Sequence, residues 1–258
     1  ASKRNDRRVL IYSHDSFGLG HLRRCREIAH ALVEADKKLS VLILSGSPII
    51  GSFDFRARVD FVRVPGVIKL RNGDYTSLKL YIDVEQTLAM RASIIEHTAK
   101  IYDPNLFIVD KEPLGLRGEV ETTLKLMKKR GTPCILGLRD IMDEPGLLAP
   151  EWERKHAVPA VKRYYDDIWV YGLPQICDPL KGIGLPASTR KRMTYTGYLN
   201  RTLPQAASHP HLEKISGPYL LVTVGGGGDG EEIVDWVLRA YEADPDLPIP
   251  RLSCSAPL

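Results

Sequence analysis

Between the apolar run RVLIYS (residues 8–13) and the helical pattern LRRCREIAHALVEA lies the loop HDSFGLGH, which sets Gly18, Gly20 and His21 beside Arg23 and Arg24. Small residues at a helix start let a ligand approach the backbone, and the unsatisfied N–H groups there favour an anion. Gly18, Gly20 and Arg23 are the candidate anion-binding group. Two arginines at the positive end of a helix dipole are locally unfavourable, which argues for an anionic partner over a merely solvated face. The spacing is G-x-G-x-x-R, so an arginine stands where a dinucleotide fingerprint has its third glycine. The next apolar run ends in Ser45-Gly46, with no acidic residue to hold a ribose. Both features disfavour NAD, and the absence of any G-K-[ST] excludes a P-loop.

His21 is the residue that could do chemistry. At a helix N-terminus the dipole disfavours imidazolium, and a neutral imidazole can take a proton. Such a ring beside an anion site is what a general base for a hydroxyl nucleophile requires. A histidine that merely caps the helix is the plainer alternative, and G-x-G-H alone does not decide between them.

Other candidates lie at the ends of apolar runs. Asp110 closes NLFIVD (residues 105–110), at the carboxyl edge where open α/β sheets bind ligands. A salt bridge from Asp110 to Lys111 or Arg139 is its ordinary reading. Arg139 and Asp140 follow PCILGL, so Arg139 is a further anion-binding candidate, weighed against an internal ion pair. The irregular stretch GVIKLRNGDYTS carries Lys69, Arg71 and Tyr75. Over a cleft it would suit an acceptor bearing phosphate or sugar groups; as a surface loop it needs no function. STRKRM (residues 188–193) reads as a solvated basic face, and Trp152, Trp169 and Trp236 as packing residues.

The elements that must hold these residues follow from the alternation of apolar runs and helical patterns, the signature of parallel α/β architecture. The runs are RVLIYS, LSVLILS, VDFVRV, NLFIVD, PCILGL, DDIWVYG and RMTYTGYL, and residues 76–102 are expected to form one long amphipathic helix, bent or interrupted. Together they predict a doubly wound Rossmann-like domain over residues 1–200. A polar, proline-containing stretch, residues 201–217, has linker composition. A second strand–glycine loop–helix then begins with PYLLVTV and GGGGDG, where Gly225, Gly226, Gly227 and Gly228 lie.

The 258 residues hold between one and two domains at roughly 150 residues each. Hydrophobic content of 43% and charged content of 26% are those of an ordinary globular protein. A net charge of +4 fits anionic small ligands or an acidic membrane surface, leaves peripheral membrane contact open, and does not indicate nucleic acid. Four cysteines without a C-x-x-C pair argue against a disulfide framework or a zinc site. With no signal peptide or membrane-length apolar run, the expected compartment is the cytoplasm.

The strand followed by G-x-G-H-x-x-R resembles the N-terminal domain of GT-B glycosyltransferases, in particular the group containing the N-acetylglucosaminyltransferase that forms lipid II. ILGLRDIMDEP, VYG, TGYL and VTVGGGGDG resemble a bacterial branch of predicted glycosyltransferases, and the likeness runs from Arg8 to about Pro250. It implies two Rossmann-like domains facing a cleft, the acceptor on the first and the nucleotide-diphosphate sugar, a UDP-sugar in the expected case, on the second. No metal and no cofactor are implied, since helix N-termini and glycine-loop amides stabilise the leaving diphosphate. By position, His21 would be the base, Gly18 and Gly20 would shape the acceptor loop, and Gly225 to Gly228 would border the donor diphosphate. Some GT-B enzymes pair the loop histidine with an aspartate at a neighbouring strand end. Asp110 is the candidate for that role, with Asp15 the alternative. Sugar-nucleotide hydrolases share the G-x-G-H-x-x-R segment, so hydrolysis stays open beside transfer to a hydroxyl acceptor, as does a non-catalytic ligand-binding remnant.

The final RLSCSAPL reads as neither a strand nor a natural domain end. A frame change after about Pro250, or a deliberate boundary, is the expected reason for an incomplete second domain, and a chain of this length is expected to be inactive as a transferase.

Overall fold

In the computed structural model the chain enters as strand β1 (Arg7–Tyr12), helix α1 (Gly20–Ala35), β2 (Leu39–Ser45) and β3 (Val59–Arg63). A short antiparallel pair, β4 (Val67–Lys69) and β5 (Tyr75–Ser77), precedes α2 (Val84–Tyr102) and β6 (Leu106–Asp110). There follow α3 (Glu121–Arg130), β7 (Cys134–Arg139), α4 (Pro145–Arg154), α5 (Ala157–Tyr164), β8 (Asp167–Tyr171), α6 (Ala187–Arg190) and β9 (Met193–Tyr195). Last come β10 (Leu220–Thr223), α7 (Glu231–Ala243) and β11 (Arg251–Cys254). The structure describes residues 6–14, 19–70, 74–142, 144–199, 218–224, 230–244, 247 and 251–254. The linker expected over residues 201–217 lies outside them. Two compact units emerge, one of Ala1–Ser16 with Gly20–Asn200, the other of Phe17–Leu19 with Arg201–Leu258.

The larger unit is built on a seven-stranded sheet of order β3-β2-β1-β6-β7-β8-β9, in which every pairing is parallel. A parallel sheet is covered on both faces, so its strands read as unbroken apolar runs. The pleat sorts those runs between two layers. Val9 and Ile11 of β1 join Cys25, Ile28, Ala29 and Val33 of α1, whereas Leu10 and Tyr12 join Ile95 of α2, Leu124 of α3 and Val161 of α5 on the other face. Each fully buried aliphatic side chain in these layers stabilises the fold by about 1.5–3 kcal/mol. The chain winds outward from β1 to β3, then returns to β6 on the opposite side of β1. The carboxyl ends of β1 and β6 therefore flank the topological switch point, where doubly wound sheets form their ligand crevice.

Helix ends follow local chemistry. α3 stops at Gly131, whose φ of 72° suits glycine. Thr132 N–H donates to the Met127 carbonyl and Gly131 N–H to that of Lys128, closing a Schellman cap.

Three expectations need correction. Residues 76–77 belong to β5 and the helix begins only at Val84, because its inward stripe starts at Thr87, Leu88 and Arg91 while Leu80, Tyr81 and Ile82 are exposed. Arg251–Cys254, read as unlike a strand, forms β11 and pairs parallel with β10, with Val222 opposite Ser253. Strand pairing is a main-chain interaction and can override a weak side-chain pattern. Trp236, read as a packing residue, is exposed, whereas Trp152 is buried.

Candidate active site

β1 delivers the chain to the switch point, and α1 starts there with Gly20 and His21. On a helix, positions three and four apart share a face. His21, Arg24, Cys25 and Ile28 thus turn inward, and Arg23 is left exposed. β6 brings Asp110 to the same edge through its buried, uninterrupted run LFIVD.

The two elements meet in a three-residue cluster. His21 Nδ1 lies 2.5 Å from Asp110 Oδ2. Arg24 donates from Nε and Nη2 to Asp110 Oδ1, at 2.9 and 2.7 Å. Burial would raise the Asp110 pKa, but the hydrogen bond from His21 and the charge of Arg24 outweigh it and hold the carboxyl below its ordinary value. Asp110 is therefore a carboxylate that accepts, and His21 Nδ1 must carry the proton it donates. The 2.9 Å approach of Arg24 Nη2 to His21 Nδ1 joins two donors aimed at one carboxylate, so it is a contact rather than a hydrogen bond. In the neutral ring with its proton on Nδ1, the lone pair lies on Nε2. Asp110 has 2% of its side chain exposed, whereas the His21 ring has 18%, enough for a reacting group to reach it. Beneath, the Arg24 guanidinium sits 5.8 Å from the Tyr171 ring centroid.

Of the predicted residues, the structure brings His21 and Asp110 together and puts Gly20 at the helix start, where an added Cβ would meet no atom within 4 Å. The ion partner of Asp110 is Arg24, not Lys111 or Arg139. Arg139 ends β7 with an exposed side chain. Gly18, Asp15 and Gly225 to Gly228 lie outside the described residues, as does Arg71. Among the described residues, no cluster of three or more His, Cys, Asp or Glu forms a metal-binding group.

The sequence reading missed His14, which stands two residues past the end of β1. Its ring meets that of His21 edge to face, with centroids 5.8 Å apart. It is buried, its Nδ1 has no hydrogen-bond partner among the described residues, and burial, then positive charge on His21 whenever that ring is protonated and on Lys111, push its pKa well below the ordinary 6.5. Its position on the same strand-to-helix loop as His21 was the available signal. His14 also forms one wall of a cavity of about 270 Å³, shared with Tyr75 of β5, Lys155 and Ala157 at the α4–α5 junction, and residues 112–118 after β6. That last segment is strained. Lys111 and Arg117 have φ of 64° and 48°, and Gly115 and Gly118 have 69° and 87°. Non-glycine residues in the left-handed region cost of order 1–3 kcal/mol and persist where surrounding contacts fix them. Here the fixing contacts are buried. Glu119 takes two hydrogen bonds at 2.6 Å from Arg91 of α2 and a third at 2.5 Å from Tyr12 of β1, and Tyr12 Oη accepts from Leu116 N–H.

No known family pattern and no curated protein matches this chain. Solved structures do resemble it. UGT89C1 of Arabidopsis thaliana, complexed with UDP-L-rhamnose, aligns over 97% of this chain and 69% of its own at 12% identity and a TM-score of 0.55. A glycosyltransferase from Rickettsia africae aligns over 98% and 69% at 10% identity, again with a TM-score of 0.55. LpCGTa in complex with UDP aligns over 92% and 64% at 14% identity and a TM-score of 0.54. The chain thus spans about two thirds of the length of these proteins. At such identities the likeness is one of fold, and the fold is the Rossmann-like α/β architecture of GT-B glycosyltransferases.

Proposed function

We propose that this chain carries the acceptor side of a glycosyltransferase that moves a sugar from a nucleotide-diphosphate sugar, a UDP-sugar by analogy with the ligands of the similar structures, to a hydroxyl acceptor. The observation that carries this reading is the His21–Asp110 contact at the switch point, with Arg24 holding the carboxylate. In the reaction, His21 Nε2 takes the proton of the acceptor hydroxyl as its oxygen bonds to the anomeric carbon. The bond from that carbon to the diphosphate breaks, and its electron pair leaves with the nucleotide. Asp110 stabilises the imidazolium and fixes the tautomer that makes Nε2 the base. Attack opposite the leaving group inverts the anomeric configuration. Gly20 and the amides of the helix start, with Gly18, Arg23 and Arg139 nearby in sequence or on the same sheet edge, form the anion-facing side. Gly225 to Gly228 border the donor diphosphate, and no metal takes part.

The test has two readouts. Long-range 1H–15N NMR of His21 shows a ring protonated on Nδ1 in the native chain, and Asp110→Asn shifts the proton towards Nε2. Joined to a complete donor domain, the chain releases UDP from a panel of UDP-sugars in an acceptor-dependent manner, unaffected by EDTA and slowed roughly 10²–10⁴-fold by His21→Ala. Release without acceptor identifies a hydrolase instead. A protonated Nε2 in the native ring, or unchanged release in His21→Ala, refutes the reading.

A further inference from the structure

The cavity beside His14 has a composition that selects among acceptors. At about 270 Å³ it falls just below the roughly 300–1,000 Å³ of sites for drug-sized ligands, so it holds a single ring. Its cations are already neutralised. Lys155 Nζ lies 3.0 Å from Glu112 Oε2 and 2.5 Å from Glu151 Oε1, and Arg117 Nη1 lies 2.5 Å from Glu85 Oε1. A free anion would have to displace these carboxylates. The polar atoms are instead a mixture of donors and acceptors. His14 contributes one of each when neutral, Glu112 accepts, Lys155 donates, and the Tyr75 hydroxyl does either. Pro113, Leu114, Leu116 and Ala157 add apolar surface, and Tyr75 an aromatic ring beneath the Arg117 guanidinium, 5.7 Å from its centroid.

A flat apolar aglycone would offer no hydrogen bond to His14 Nδ1 or the Tyr75 hydroxyl, at about 1–3 kcal/mol for a buried group left without one. Hydroxyl groups both donate and accept, and a saturated ring bearing several of them pairs with every member of this set while its C–H faces meet the leucines and the tyrosine ring. The buried Nδ1 of His14 has no partner among the described residues, and a hydroxyl of such a ring would supply one. His14 packs edge to face on His21, so a ring bound against His14 sits next to the proposed base.

We infer that this cavity binds a polyhydroxylated, uncharged ring of monosaccharide or cyclitol size, with His14, Tyr75 and Glu112 as the residues that select it. The inference rests on the transferase reading only for the name of acceptor, because binding needs neither donor nor turnover.

Saturation-transfer NMR on the purified chain tests it with methyl β-D-glucopyranoside, myo-inositol, p-nitrophenol and inorganic phosphate as probes. Ring protons of the glucoside or the inositol receive saturation, and neither phosphate nor p-nitrophenol competes. Tyr75→Ala and Glu112→Gln, both checked for a native melting curve, weaken binding at least tenfold. His14→Leu does the same wherever it folds, and Lys125→Ala, on the exposed face of α3 away from the cavity, leaves binding within twofold. Saturation of p-nitrophenol alone, displacement by phosphate, no signal from either polyol, or binding indifferent to the Tyr75 and Glu112 changes overturns the inference. Loss of sugar transfer with polyol binding intact counts against the transferase reading alone.

Discussion

Two neighbours place the lone pair on Nε2 of His21. Asp110 accepts the hydrogen bond from Nδ1–H, and Arg24 helps keep Asp110 ionised in a site that would otherwise favour its neutral form. His14, one ring away, is treated the opposite way, because burial and nearby cations hold it neutral. Its folded pKa is depressed below the ordinary 6.5, so the unfolded chain binds the proton that the folded one refuses. The stability it contributes is complete above the unfolded value and declines as pH falls below it towards the lowered folded value. Urea-unfolding curves should show stability dropping between pH 7.5 and 5, and His14→Gln should flatten that drop; an unchanged slope would contradict it. The position of Asp110 was legible because an aspartate closing an apolar run must sit at the carboxyl edge of a parallel sheet. The choice between Arg23 and Arg24 was also in the spacing, since only the latter is three residues from His21. The cavity was not legible, for its walls come from four segments that no local pattern connects.

At the scale of elements, the segment after β6 holds its strained backbone because two elements grip it. α2 supplies Arg91, β1 supplies Tyr12, and Glu119 joins both within the core. A buried ion pair adds little over apolar packing, but removing one partner strands the other. Arg91→Met should therefore cost about 3–5 kcal/mol in chemical denaturation, and the double change Arg91→Met with Glu119→Leu should cost less than Arg91→Met alone. If the double variant is the weaker, the network contributes more than its geometry suggests. The seven strands of the main sheet were readable, since burial on both faces leaves an unbroken apolar run as the signature. The β4–β5 pair was not. Three-residue strands leave no periodicity to detect, and the apolar residues that follow them resemble a helix start while lying exposed.

For the whole molecule, the distribution of the core decides what can stand alone. All three clusters of buried apolar residues fall within the larger unit, and among the residues of the smaller one whose burial is described only Val222 is a buried hydrophobic. A chain ending at Asn200 should accordingly melt cooperatively within a few degrees of the 258-residue protein by circular dichroism; loss of the cooperative transition would show that the core extends further. The order of the sheet has one more effect. His21 and Asp110 are 89 residues apart and become neighbours only through the pairing of β1 with β6, after two strands on the far side of β1 have been threaded past. Such distant pairings close late on the way from coil to native chain. Newly made or partly unravelled polypeptide therefore carries both residues apart, and their hydrogen bond arrives in a single step with completion of the central strand register.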